Sequence, residues 1–449
     1  MNLNSKTLTL LTALGIGFSA CTNLATQTSP VPSYAYTLTV DLQDLDSQAS
    51  LEEKYKASVI IFDQQEGYAV LGFQTSQLQT AQARLQSSEV LEPNADVLAV
   101  DQVTTNDGSL GLWADGSLGL WADGSLGLWA DGSLGLWADG SLGLWADGQF
   151  APIPANTNNW TSIKLQQGQA RAPKLGKSIK IAIIDSGIDL NHPAFKRSLV
   201  AASQMRDYVD GDTIPDDTVN GHGTAVAAIA LQIAPGATIL PLRVIGADGT
   251  GDADKLAQAI NYAVSSGANV INVSLSVNGF SDPVRRAIQA AGNKKIAVFL
   301  SAGNFNAALN FPATIADTRF SVISVGSVDA SGVKSRFSNY GANLELSAPG
   351  QGIITAFPGN RSVAASGTSM ATAVASGAAA LALGEGTDRL AFTSDAIARQ
   401  TWMTADSSIY QLPENSGFAF STPTHQGYFG TLGYKGRLNL DNYLKTVLK

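Results

Sequence analysis

The chain has 449 residues, more than one ordinary domain needs, and its 45% hydrophobic content is enough for at least one sizeable core, so two folded units are expected. Net charge is −9, but residues 107–148 hold six Asp and no Lys or Arg; without them the remainder carries only −3, which argues against a nucleic-acid partner. The single cysteine, Cys21, excludes an intrachain disulfide, so the folded units rest on their cores alone.

Residues 1–20 read as an export signal. Met1 to Lys6 is a short basic start, Leu8 to Phe18 is an apolar run too short to span a bilayer, and Ser19-Ala20 supplies the small residues of a cleavage point. With Cys21 next, the segment resembles a bacterial lipoprotein signal, although Phe18 stands where such signals usually carry Leu. The resemblance implies lipidation at Cys21, residues 21–33 as a tether, and a membrane anchor worth ~0.8 kcal/mol per buried methylene. A plain secretory signal with an incidental cysteine is the alternative, and both place the protein outside the cytoplasm.

Residues 34–105 alternate in the order strand, helix, strand, strand, helix, strand. Tyr36 to Val40 alternates with period two, Ser50 to Lys56 fits a short helix, and Val59 to Phe62 is a compact apolar strand. Tyr68 to Phe73 follows the turn signal Gln65-Glu66-Gly67, and Ser76 to Ser87 places Leu78, Ala81 and Leu85 at helical spacing. This is a ferredoxin-like α+β order.

Residues 106–149 contain five copies of Asp-Gly-Ser-Leu-Gly-Leu-Trp-Ala. An even period of eight would keep Trp113, Trp121, Trp129, Trp137 and Trp145 on one side of an extended chain, but the Asp-Gly and Leu-Gly steps favour turns. The segment reads either as an expanded linker or as an adhesive tryptophan stripe.

Residues 150–449 form a third region, in which Val- and Ile-rich runs alternate with small-residue helices. Strands are expected at Ile179 to Ile184, Ile239 to Val244, Val270 to Leu275, Ile296 to Leu300 and Ser321 to Val328. Helices are expected at Thr224 to Ile233, Ala253 to Ser266, Pro283 to Ala291 and Ala371 to Leu383. Continuous apolar strands separated by helices imply a mostly parallel, doubly wound α/β sheet covered on both faces.

Three strings carry chemistry. Ser369, in Gly367-Thr368-Ser369-Met370-Ala371, opens a small-residue helix and would present its hydroxyl at the positive helix end. Of the three histidines, His192 lies in a loop before Pro193 and His425 in a turn-rich tail; His222, between Gly221 and Gly223 at a helix start, is the credible base. Asp185 ends the strand Ile181 to Ile184, where ligands gather in parallel sheets, and reads either as a partner for an imidazole or as a turn cap. Asp207, Asp210, Asp212, Asp216 and Asp217 read as a solvated polar loop.

Asp-Ser-Gly, Gly-His-Gly-Thr and Gly-Thr-Ser-Met-Ala in the order Asp, His, Ser resemble the subtilisin-like serine proteases, over roughly residues 176–440. The resemblance implies a serine endopeptidase acting through an acyl-enzyme on protein or peptide substrates, with Asp185, His222 and Ser369 catalytic. It further implies that Asn304, in Ser301-Ala302-Gly303-Asn304, helps to hold the oxyanion, and that Ser274, Leu275, Ser276, Ala302 and Gly303 line the substrate pocket. Residues 34–105 would be the family's propeptide, an inhibitor of its own enzyme, unless they are an accessory domain.

Three departures stand out. Ser276 replaces a usual Gly, Ala373-Val374 replaces Pro-His after the nucleophile, and the direct run Ala230 to Pro235 lacks the insertion that holds the family's strong calcium site. No cofactor is expected, beyond weak calcium in Asp-rich loops. The expectation is thus a monomeric, exported, autoprocessed serine endopeptidase; the rival is a surface adhesion protein that uses the Trp repeats and keeps the peptidase body as a scaffold.

Overall fold

The computed structural model describes residues 33–99, 153–317, 321–341, 343–387 and 437–448. Cys21, the Trp repeats and His425 lie outside the described residues.

The N-terminal unit follows the expected order: β1 (Tyr36–Asp41), α1 (Gln48–Tyr55), β2 (Ser58–Asp63), β3 (Tyr68–Phe73), α2 (Leu78–Gln82) and β4 (Leu91–Pro93). Its antiparallel sheet runs β2-β3-β1-β4, the ferredoxin-like arrangement. The second helix is shorter than its periodicity suggests, because in this glutamine-rich stretch only Ala81 is buried against the sheet. Strand β3 is apolar throughout because both of its faces are covered: Ala69, Leu71 and Phe73 join the unit's own core, while Tyr68 and Val70 pack against the larger domain.

Beyond it, β5 (Asp96–Ala99) leaves the unit, and the larger domain follows with α3 (Thr157–Ser162), α4 (Leu165–Arg171), β6 (Lys180–Asp185), β7 (Arg206–Asp207), α5 (His222–Ile233), β8 (Thr238–Arg243) and β9 (Thr250–Asp252). Next come α6 (Ala253–Ser265), β10 (Val270–Val273), β11 (Leu275–Val277), α7 (Asp282–Asn293), β12 (Ala297–Ser301), β13 (Val322–Val328) and β14 (Leu346–Pro349). A hairpin of β15 (Ile353–Phe357) and β16 (Arg361–Ala365), then α8 (Thr368–Gly384) and α9 (Leu440–Val447), complete the described chain.

Seven strands form one parallel sheet in the order β14-β13-β12-β10-β6-β8-β7. After β6 the chain lays down edge strand β7 and then β8 on one side, and crosses to the other flank of β6 at β10, so the topological switch point lies at β6. Within β6, Ile181 and Ile183 enter the core beneath α5 and α8, while Ala182 and Ile184 face the core shared with α6 and α7. Burying each such isoleucine contributes ~1.5–3 kcal/mol.

Helix α8 is buried from Thr368 to Leu383, which explains its alanine-rich composition. A Cβ on Gly377 would lie 2.6 Å from Ile233 Cβ and 2.8 Å from Ala230 O, so larger residues there would force α5 and α8 apart.

The single strand expected over Val270 to Leu275 is two. Ser274 interrupts it because its carbonyl and hydroxyl bond to Ser369 rather than to a neighbouring strand, and β11 then joins a different sheet. In that three-stranded sheet the middle strand is β5, antiparallel to β11 on one side and to β9 on the other.

Candidate active site

Asp185, Ser274 and Asn304 follow or end β6, β10 and β12, three neighbours at the switch point, and Ser369 comes to the same rim at the second residue of α8. His222 is the first residue of α5. Its Nδ1 lies 2.6 Å from Asp185 Oδ1, and both side chains are at most 1% exposed. A carboxylate accepting from Nδ1 fixes the imidazole tautomer that leaves Nε2 as a base and stabilises the imidazolium once a proton is taken up.

The glycines around His222 have separate reasons. Gly221 has φ +77°, and a Cβ there would fall 2.5 Å from the Phe357 ring. A Cβ on Gly223 would fall 2.0 Å from Gly187 O and 3.1 Å from Asp185 Cβ, so only glycine lets the helix start approach the end of β6 this closely.

Asp217, which motif reading does not pick out, and Ser186, within the Asp-Ser-Gly string, hold this junction together. Asp217 accepts from Ser186 Oγ (2.6 Å) and from the backbone N–H groups of Gly221 (2.7 Å), Asn220 (2.8 Å) and Val219 (3.1 Å), and Ser186 Oγ in turn accepts from Gly223 N (3.0 Å). The chain of bonds Asp217–Ser186–Gly223 pins the residue after Asp185 to the residue after His222. Burial pushes the Asp217 carboxyl above the ordinary aspartate range, against the pull of those donors.

The acidic loop is therefore not simply solvated. Asp217 is buried at the junction, and Asp207 is buried and paired with Arg243, which also contacts Asp210. Asp212 and Asp216 accept from the backbone of Ile214 and Leu190. The Asx-turn spacing from Asp217 to Asn220-Gly221 was the available signal.

His192 is also buried, but its ring is occupied structurally. Nδ1 accepts from Ala194 N (3.2 Å) and Nε2 faces Arg361 O (3.2 Å), while burial pushes its pKa below the usual histidine value.

On the far side, Ser369 Oγ donates to Ser274 O (3.2 Å), and Ser274 Oγ, which accepts from Asn272 Nδ2 (2.8 Å), donates to Ser369 O (3.2 Å). Asn304 Oδ1 accepts from Thr368 N (2.9 Å), and Thr368 Oγ1 accepts from Gly303 N (3.1 Å), so Thr368, the residue before Ser369, is tied to the Asn304 turn. Ala302 and Gly303 are buried in that turn; Leu275 and Ser276 lie on β11, opposite Ala99 and Leu98. Ser301 Oγ reaches Leu275 O at 3.4 Å, tying the two walls of the groove.

The groove between β9 and β11 is filled by the chain's own β5. Val97 and Ala99 are buried in it and Leu98 is half-buried, the alternation of an extended peptide bound edge-on. Among the described residues, no group of three or more His, Cys, Asp or Glu side chains is placed to hold a metal ion.

The chain is similar to known proteins of one family. Residues 176–428 match the model of the subtilase family. Thermitase of Thermoactinomyces vulgaris is 37% identical over 234 residues, covering 50% of this chain and 81% of that protein. Subtilisin BL of Lederbergia lenta is 33% identical over 216 residues, covering 46% and 76% respectively. A solved structure, a cold adapted subtilisin-like serine proteinase, is 32% identical over 50% of this chain and 82% of that one, with a TM-score of 0.45. The matched family model and the shared sequence of thermitase, over a parallel, doubly wound α/β sheet, make this chain a subtilisin-like serine endopeptidase of the subtilase family.

Proposed function

We propose that the chain hydrolyses peptide bonds through Asp185, His222 and Ser369, with Asn304 and the backbone N–H of Ser369 receiving the oxyanion. The observation that carries the reading is the fully buried 2.6 Å contact between His222 Nδ1 and Asp185 Oδ1 at the switch point. In the proposed reaction Ser369 Oγ attacks the substrate carbonyl carbon while His222 Nε2 takes the hydroxyl proton, and the carbonyl oxygen becomes the oxyanion. The imidazolium then protonates the leaving amine, and water repeats the sequence on the acyl-enzyme.

The segment 34–105 is, on the same reading, a propeptide whose β5 occupies the non-primed half of the substrate groove. Ser276 and Leu275 would pair there with a substrate main chain as they pair with Leu98 and Ala99. The signal pattern before Cys21 supports export with a lipid anchor; among the described residues, no helix is long and apolar enough to cross a membrane.

The test compares wild type with Ser369→Ala and His222→Ala, using an unfolded protein substrate and N-terminal sequencing of the chain itself. Wild type should digest the substrate and cut its own chain between residues 99 and 153, and both variants should do neither. Equal digestion by Ser369→Ala would remove Ser369 from the mechanism.

A further inference from the structure

The turn that carries Asn304 is held by a residue outside every motif. Asn339 is 0% exposed, and its side-chain amide spends all of its hydrogen-bonding capacity on residues 302–310. Nδ2 donates to Ala302 O (3.2 Å) and Asn310 Oδ1 (3.1 Å), and Oδ1 accepts from Phe305 N (2.8 Å) and Ala307 N (3.0 Å). The backbone N–H of Asn339 adds a bond to Gly303 O (2.8 Å). The peptide groups on either side of Asn304, through Gly303 O and Phe305 N, are thus both fixed by one residue.

We propose that Asn339 is the positioning residue of the oxyanion site, clamping the turn so that the Asn304 amide is held ready for the developing charge. This inference rests on the role of Asn304 proposed above. It also explains Gly303, whose φ is +105°: a Cβ there would lie 2.3 Å from Asn339 Nδ2, so the clamp and a side chain at 303 exclude each other. Aspartate cannot replace Asn339, because the carboxylate oxygen in place of Nδ2 would face two acceptors, Ala302 O and Asn310 Oδ1, with no proton to donate.

A preorganised donor acts only if it is aimed before the reaction begins, and misplacement by about 1 Å costs on the order of 100-fold. Asn339→Ala should therefore lower kcat by ~10–100-fold while KM stays within about twofold, because ground-state binding on β11 is untouched. The experiment is a double-mutant cycle with a tetrapeptide nitroanilide, run on the full-length chain after an added protease has cut it between residues 99 and 153 and dilution has emptied the groove, active sites being counted by an irreversible fluorophosphonate label.

Asn304→Ala alone should lower kcat by ~100–1,000-fold, and adding Asn339→Ala to it should change kcat by no more than about twofold. The same loss in both backgrounds, or a kcat for Asn339→Ala within twofold of wild type, overturns the inference while leaving Asn304 in place. Full kcat in Asn304→Ala overturns both readings together. If Asn339→Ala does not fold, Asn310→Ala removes one Nδ2 acceptor only; it should lower kcat about threefold or more, and only when Asn304 is present.

Discussion

At the residue scale, Asp217 shows how a buried carboxylate can brace the Asp185–His222 pair without touching it. Hydrogen bonds to a charged group contribute ~1.5–3 kcal/mol each, and four converge here. Asp217→Ala should destabilise the protein by at least ~2 kcal/mol in urea melts and lower kcat, since Ser186 and Gly221 lose their common anchor; a variant with wild-type stability would contradict the bracing role. Lys334 gives a test by pH. Its ammonium is buried, donates to Asn306 Oδ1 and Ser335 O, and is pushed down by burial to about 8 from an ordinary 10.5. Between those values the unfolded chain binds more protons than the folded one, so this lysine makes stability rise with pH from about 8 to 10.5. Lys334→Met should flatten that rise, as read from denaturant melts across the interval.

What the sequence discloses at this scale is uneven for a physical reason. Asp185, His222, Ser369 and Asn304 sit in short local strings whose glycines and small residues are dictated by close backbone approach. Asp217 and Asn339 are ordinary polar residues whose roles arise from partners distant in the fold or from burial. Polarity in a loop looks the same in sequence whether the side chain meets water or, like Asp217, three amides and a hydroxyl.

At the element scale, strands and helices of the larger domain were legible because continuous apolar runs and small-residue helices leave few alternatives. The break at Ser274 was not, since Val270 to Leu275 is uniformly strand-like and only the approach of Ser369 divides it. The close contact of α5 with β6 is tested by Gly223→Ala: a methyl group 2.0 Å from Gly187 O must separate the two elements and should reduce kcat by more than ~100-fold. Activity within threefold of wild type would show that the contact tolerates slack.

Helices α6 and α7 present a different case, because the side chains of Asp252 and Ser281 at their starts make no capping bond. The N-terminal unit supplies partners instead: Asn94 Oδ1 accepts from Asp254 N, Ala95 O from Ala253 N, and Glu92 Oε2 from Asp282 N. Glu92→Ala and Asn94→Ala should each weaken the hold of this unit on the domain by ~1 kcal/mol, about fivefold in affinity, measured after the connecting segment has been cut.

At the scale of the whole molecule, the same contact is sensitive to pH. Asp254 is buried where Asn94 covers it, and burial raises its carboxyl from 3.8 to about 6. The covered state therefore binds a proton more readily than an uncovered, solvated Asp254 would. This contribution is complete below about pH 4 and is lost as pH rises through 6. The other ionisable groups around it are Asp252, which raises it, and Lys255, which lowers it. In the Ser369→Ala protein, cut between residues 99 and 153 by an added protease, the N-terminal segment should co-elute with the domain better at pH 4.5 than at pH 7.5. Asp254→Asn should reduce the difference, the remainder coming from Glu92, whose carboxyl is also raised by burial at the same contact.

Strand β5 is covalently part of the molecule whose groove it fills, so its occupancy does not depend on how much protein is present. A tethered segment competes as if it were dissolved at roughly millimolar strength, and no incoming peptide at ordinary levels displaces it. Once the connection is severed, that local advantage disappears and occupancy becomes a matter of dilution. Turnover should then appear sooner in a dilute sample than in a concentrated one.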